Sequence, residues 1–236
     1  MGFYDGPKIV TDGLILALDA SDRNSYPGSG TTWYDVSGYN RHYTLVNGPT
    51  WNSDGYFTFD GSNDYAYGPA GNTFGLGQEH TVEVIMKNTV ASTTTLFNWR
   101  SSLVDREIMG HVPYSDGNVY YDVGGCCGGS NRINYTPSPS ITNRLVHYIF
   151  RCRTTPTPRR QIFENNIEKV NSGANTTDTI NLSSNVALIA VFNEANIGGS
   201  GGVWSGNIYS FRMYDRGLTD NEVAQNFNAF KSRYNL

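Results

Sequence analysis

One continuous stretch near the end of the chain constrains the fold more than any other: Gly202-Val-Trp-Ser-Gly-Asn-Ile-Tyr-Ser-Phe-Arg-Met-Tyr-Asp-Arg-Gly-Leu-Thr-Asp-Asn-Glu-Val. From Val203 to Tyr214 side chains alternate, with Trp204 and Ile208 on one face, which is the period of a strand that buries one side. Thr219 then reads as a helix N-cap, and Glu222 stands where a capping box needs it. Leu218 before the cap and Val223 at the fourth helical position form a hydrophobic staple. Val223, Phe227 and Phe230 recur at helical spacing, so a helix over Asp220 to Arg233 offers one narrow apolar stripe to a core. Capping and packing account for all of these residues, which leaves function to the loops and the N-terminal arm.

Everything upstream reads as short strands. Leu14 to Ala20 is the first. Gly55 to Asp60 and Asp64 to Tyr67 flank Gly61-Ser62-Asn63, which predicts a hairpin turn. Thr81 to Lys87 alternates cleanly, and Leu96 to Trp99, Ile108 to Val112 and Val119 to Val123 follow. Leu145 to Cys152 is apolar on both faces, as in a central strand. Gln161 to Phe163 and Ile167 to Val170 flank Glu164-Asn165-Asn166, a second hairpin, and Val186 to Phe192 precedes the closing strand. Asp22 to Asn40 is rich in turn signals. The chain has 236 residues, 26 of them Gly, and only 16 % charged residues. That length suits one large β domain. The expected fold is all-β, an antiparallel two-sheet β-sandwich of jelly-roll type with one short C-terminal α-helix. Residues 1–12 are expected as an N-terminal arm and 13–236 as the domain.

Several function classes are disfavoured. Net charge is −4 and no basic stripe is visible, so nucleic-acid binding has no footprint. No apolar run reaches the length of a membrane span. Met1 to Val10 lacks the basic start and apolar stretch of a signal peptide, so folding in a cytoplasm is expected. Three Cys give no disulfide framework. Cys152 reads as a buried thiol. Cys126-Cys127, within Gly-Gly-Cys-Cys-Gly-Gly, reads as a plain loop, with a vicinal disulfide, a redox role and a metal as the alternatives.

Five segments in order carry a resemblance. They are Gly13-Leu-Ile-Leu-Ala-Leu-Asp-Ala, Thr32-Trp-Tyr-Asp-Val-Ser-Gly-Tyr-Asn, Phe57-Thr-Phe-Asp-Gly-Ser-Asn-Asp-Tyr, Ile162-Phe-Glu-Asn-Asn-Ile-Glu and the closing strand and helix. Together they resemble laminin-G-like, concanavalin A-type domains over about residues 12–234. Pro7-Lys-Ile-Val-Thr-Asp-Gly-Leu, Ser25-Tyr-Pro-Gly-Ser-Gly-Thr-Thr-Trp and His111-Val-Pro-Tyr-Ser-Asp-Gly-Asn-Val-Tyr-Tyr-Asp are similar to such modules in virion proteins of tailed phages, especially phages of cyanobacteria. This resemblance implies a concanavalin A-like sandwich in a non-enzymatic virion surface protein, a capsid decoration or fibre-like module. Its partners would be other virion proteins such as the capsid subunit, host-surface glycans, or copies of itself. Capsid docking would fall to the arm, with Phe3, Tyr4 and Lys8. Assembly in the host cytoplasm and release by lysis would reconcile an extracellular fold with the lack of an export signal.

The residues that could carry chemistry are sparse. Sugar recognition stacks rings on exposed aromatics, and Trp33, Tyr34, Tyr39, Trp51, Tyr114 and Tyr121 lie in or near loops. Packing over a sheet edge is the competing explanation for each. Trp99 and Trp204 read as core. No organic cofactor is expected. Calcium is the one candidate ion, since it takes carboxylate, amide and carbonyl oxygens and the family often binds it at rim loops. Asp60, Asn63 and Asp64 would hold it, with Asp35 and Asp54 as further candidates, although turn chemistry alone selects the same residues. A glycoside hydrolase needs paired carboxylates. Asp105 and Glu107 are the nearest pair, and Glu83 stands alone on its strand. His147 reads as a satisfied structural histidine, and His80 and His111 as strand-end residues.

Overall fold

A computed structural model describes residues 8–90, 95–100, 107–125, 131–172, 180–182, 184–193 and 202–236. Among the described residues sixteen strands, numbered in chain order, form two antiparallel sheets. The first sheet runs β14 (Ile167–Asn171), β13 (Arg159–Glu164), β12 (Leu145–Arg153), β7 (His80–Asn88), β16 (Ser205–Tyr214), β5 (Tyr56–Asp60) and β4 (Thr50–Asn52). A further strand, β1 (Leu14–Asp19), pairs with β16 beside β5. The second sheet runs β11 (Arg132–Tyr135), β10 (Val119–Val123), β9 (Ile108–His111), β8 (Thr95–Trp99), β15 (Val186–Ile189), β6 (Tyr65–Ala70), β3 (Tyr43–Val46) and β2 (Thr32–Trp33). One helix, α1 (Asp220–Tyr234), packs on the outer face of the first sheet.

The closing strand is the hub of the first sheet. β16 pairs with β7 along one edge, while its other edge is divided between β5, opposite Ser205 to Ile208, and β1, opposite Ser210 to Tyr214. A register shift between Ile208 and Ser210 changes the side-chain parity. Ile208, Phe211 and Met213 therefore all enter the sandwich core, whereas Tyr214 joins the small cluster with Leu218 and Val223 beneath the helix. Between the sheets, Trp99 stacks on Phe211 at 5.9 Å and Phe97 meets Phe150 edge-on at 5.2 Å. Trp99 and Trp204 are both fully buried, as expected.

The helix cap has the expected geometry. Glu222 N–H donates to Thr219 Oγ1 at 3.3 Å, and Thr219 N–H donates to Glu222 Oε2 at 2.7 Å. The buried stripe is Val223, Asn226 and Phe230, so an asparagine occupies a place the apolar pattern alone does not reveal. β12 is paired on both sides and buried on both faces, as its sequence implied. The Asn165-Asn166 turn joins β13 to β14 with both residues at positive φ, the form a tight hairpin needs.

Gly61-Ser62-Asn63 is not a hairpin turn. β5 lies in the first sheet and β6 in the second, so this turn carries the chain across the sandwich. Asp60 shapes the crossing: its Oδ1 accepts the N–H groups of Ser62, Asn63 and Asp64 at 2.7, 3.2 and 3.3 Å. Residues 8–12 lie along the helix. Val10 is buried, its N–H donates to Asn226 Oδ1 at 2.8 Å, and its carbonyl accepts Tyr214 OH at 3.2 Å.

Candidate functional site

The outer edge of β1 is taken by the loop 34–42 rather than by a strand. Val36 N–H donates to Ala17 O at 2.9 Å, and Ala17 N–H donates to Asp35 Oδ1 at 2.9 Å. Asp35 organises the loop. It also accepts Ser37 N–H at 2.9 Å, Ser37 Oγ at 2.8 Å and Arg41 N–H at 3.0 Å. This is the physical content of the Asp-Val-Ser-Gly segment: one buried carboxylate satisfies the donors of a tight turn that ends at Gly38, with φ of 100°. Arg41 then reaches over β1 to donate to Ile15 O at 2.8 Å, with its guanidinium 4.5 Å from the Tyr39 ring and 4.8 Å from the Phe74 ring. His42 Nδ1 accepts Asp35 N–H at 3.1 Å, and its ring meets Tyr34 edge-on at 5.1 Å. The loop thus holds Tyr34, Val36 and Tyr39 outward, at 40 %, 41 % and 55 % exposure.

Beside this loop lies a cleft of about 490 Å³ between residues 8–11, β1 and α1, with Val36 at its mouth. Its floor is ionic. Asp19 Oδ2 accepts Arg212 Nη2 at 3.2 Å and Arg233 Nη1 at 3.0 Å, while Oδ1 accepts Arg233 Nη2 at 2.9 Å and both Ser21 donors. Burial pushes the Asp19 carboxyl upward, but Arg212, Arg233 and Ser21 together outweigh it and hold the carboxyl below its ordinary value. The Arg212 guanidinium lies 4.4 Å over the Phe230 ring. Ile9, Leu14, Ala17 and Ala229 supply apolar wall. The helix therefore contributes Ala229, Phe230 and Arg233 to this cleft, which its sequence pattern did not announce.

The sequence-predicted aromatics are not brought together. Tyr34 and Tyr39 stand on the rim loop. Trp51 is half-buried, its indole N–H donates to Ala20 O at 2.9 Å, and Arg23 covers its ring at 5.0 Å. Trp33 is fully buried against Phe57 at 4.9 Å, so its ring belongs to the core and offers no stacking face, which corrects the sequence expectation. Tyr121 is likewise buried, with its hydroxyl 2.5 Å from His80 Nε2. Tyr114 lies elsewhere, in the turn between β9 and β10 of the second sheet. It packs on His111 at 4.8 Å and Tyr120 at 5.8 Å, 37 % exposed.

The calcium candidates serve the crossing turn. Asp60 Oδ1 is occupied by the three turn N–H groups, Asp64 Oδ2 accepts Asp60 N–H at 3.1 Å, and the Asn63 carbonyl accepts Asn47 Nδ2 at 2.8 Å. Asp35 is consumed by its own loop, and Asp54 lies in the turn before β5. Among the described residues no group of three His, Cys, Asp or Glu side chains could hold a metal. Phe3, Tyr4, Asp105, Cys126 and Cys127 lie outside the described residues. Lys8 is exposed and lines the cleft. Cys152 is buried, as its sequence reading implied.

Glu83 is not alone. Its Oε1 lies 2.6 Å from His147 Nε2, and its Oε2 accepts Asn226 Nδ2 at 3.1 Å and Tyr214 OH at 3.4 Å. Glu83 and His147 are sealed beneath the helix, and their role is to join β7, β12, β16 and α1. This matches the reading of His147 as a satisfied structural histidine. Arg212 and Arg233, which shape the cleft, are missed by sequence reasoning because their partner Asp19 lies about two hundred residues away. The available signal is Arg212 itself, a charge in the buried second half of the closing strand.

No protein-family model matches the sequence, and curated proteins give no match either. Among solved structures, the binding domain of botulinum neurotoxin serotype D superimposes with a TM-score of 0.66 at 14 % identity, over 92 % of this chain and 52 % of that one. The binding domain of Paraclostridial Mosquitocidal Protein 1 gives 0.65 at 13 %, over 93 % and 53 %. Trypanosoma rangeli sialidase in complex with sialic acid gives 0.64 at 12 %, over 94 % and 33 %. The chain spans about half the length of these toxin binding domains and a third of the sialidase. What it shares with them is the β-sandwich fold.

Proposed function

We propose that the chain is a non-enzymatic binding module of a phage virion surface, and that it contacts host-surface glycan through the cleft beside β1 and its tyrosine rim. The observation that carries this reading is a cleft with a charged floor, lined by Val36 from a loop that also holds Tyr34 and Tyr39 exposed. An exposed ring beside fixed polar groups is what a sugar needs, because its C–H faces stack and its hydroxyls take hydrogen bonds. The neighbours described as toxin binding domains favour a binding role on the same fold, which by itself does not decide function. The groups best suited to acid–base work, Glu83 and His147, are buried and mutually engaged, which favours binding over catalysis. Attachment to the particle is assigned to the segment carrying Phe3 and Tyr4, on the resemblance to virion modules. Absence of the chain from purified particles, by mass spectrometry, would remove the virion setting.

Glycan-array binding tests the site. Tyr39→Ala is expected to lower glycan affinity by about tenfold, the scale of one stacked ring, with folding unchanged. Tyr114→Ala, outside the cleft, is expected to leave affinity unchanged. The reverse pattern would move the site to the β9–β10 turn.

A further inference from the structure

The cleft carries more positive than negative charge. Asp19 accepts two guanidiniums and both Ser21 donors, and Asp22 Oδ1 accepts Asn24 N–H and Nδ2 at 2.9 and 3.0 Å within its own turn. Arg212, only 4 % exposed, spends its Nη atoms on Ser210 and Asp19, and its Nε has no hydrogen-bond partner. A buried donor left unpaired costs stability, and native proteins rarely leave one without a reason. Lys8 lines the same cleft. Its carbonyl accepts Gln225 Nε2 at 2.8 Å, while its ammonium has no ion pair among the described residues. Three cations, Lys8, Arg212 and Arg233, thus face two carboxylates, Asp19 and Asp22, which leaves one positive charge in excess. The remaining wall is apolar, and the volume lies in the range of small-molecule sites.

We infer that this cleft takes the carboxylate of an acidic sugar residue, a uronic or sialic acid, with the carboxylate directed to the Lys8 ammonium and the surplus positive charge of the cleft. The C–H faces of the ring would lie against Val36 and the apolar wall of Ile9 and Leu14. A carboxylate is the acceptor that gains most from cationic donors in a partly buried site, and a neutral hydroxyl would leave the surplus positive charge unanswered. The inference rests on the glycan-binding reading and specifies the kind of glycan.

The test uses the full chain and pairs of oligosaccharides: hexuronate-containing and sialylated forms, each beside its carboxyl-reduced counterpart, in which the acid is a primary alcohol. Titration calorimetry is expected to give binding to an acidic member at least about tenfold tighter than to its reduced partner, the scale of one hydrogen bond to a charged group. Lys8→Ala is expected to erase about tenfold of the acidic binding and none of the neutral binding, and Lys8→Arg to restore it. Lys8 is exposed, so neither variant threatens the fold. Equal binding of acidic and reduced partners, or acidic binding indifferent to Lys8→Ala, would overturn the inference while leaving the glycan site standing. Binding to no member of either set would overturn both.

Discussion

Single residues decide what the molecule exposes. Trp33 and Tyr34 are adjacent in sequence, yet one is sealed in the core and the other stands 40 % exposed, because Trp33 ends β2 on its inner face and Tyr34 opens the rim loop. Asp35 likewise satisfies a loop instead of a metal. His80 shows how firmly the interior fixes a titratable group. Burial lowers its imidazole to about 4, Nδ1 lies 3.1 Å from Gln78 O, and Nε2 lies 2.5 Å from Tyr121 OH. The folded value lies below the ordinary 6.5, so the neutral ring favours the folded state. That contribution is complete above pH 6.5 and is lost as pH falls toward about 4. Chemical denaturation is expected to show stability dropping by on the order of 1–3 kcal/mol across this window. NMR should find the His80 ring still neutral at pH 5; titration of that ring near its ordinary value would contradict the burial argument.

At the scale of elements, α1 draws its local definition from its cap. Arg216 beside Glu222 is the main cause that holds this carboxyl at about 2, assisted by Thr219 against the opposing effect of burial. A depressed carboxyl stabilises the fold above its ordinary value and loses that contribution as pH falls through the folded one. Thr219→Ala is expected to cost about 1 kcal/mol at pH 7. Thermal unfolding should show that penalty shrinking toward pH 2, as the bond from Thr219 Oγ1 to the Glu222 carboxylate weakens on protonation; an equal penalty at both pH values would deny that side-chain bond its role. This helix was legible in the sequence because a cap, a staple and a periodic stripe all lie within fifteen residues. β2, β3, β4 and β11, of two to four residues, were not legible, since such strands are fixed by their partners rather than by local pattern. The Gly61 turn failed for the same reason. The local residues specify a turn, and only the pairing of β5 with β16 and of β6 with β15 makes it a crossing between sheets.

The whole molecule is a sandwich whose hub strand, β16, touches every layer. One of its faces fills the core, the other meets the helix, and its divided edge leaves β1 to flank a cleft. The fold class could be read in the chain because alternation repeats from end to end. The cleft could not, since it joins residues 8–11, Asp19 and Val36 with Arg212 and Arg233, from opposite ends of the sequence. Only the rim tyrosines, Tyr34 and Tyr39, and Lys8 were visible beforehand, each among candidates that lie elsewhere. The central claim is that glycan binds beside β1. The most direct measurement is NMR chemical-shift mapping of the full chain titrated with a glycan that it binds. The account predicts perturbations concentrated at Val36, Tyr39, Phe230 and Arg233. Perturbations concentrated at His111, Tyr114 and Tyr120 instead would contradict it.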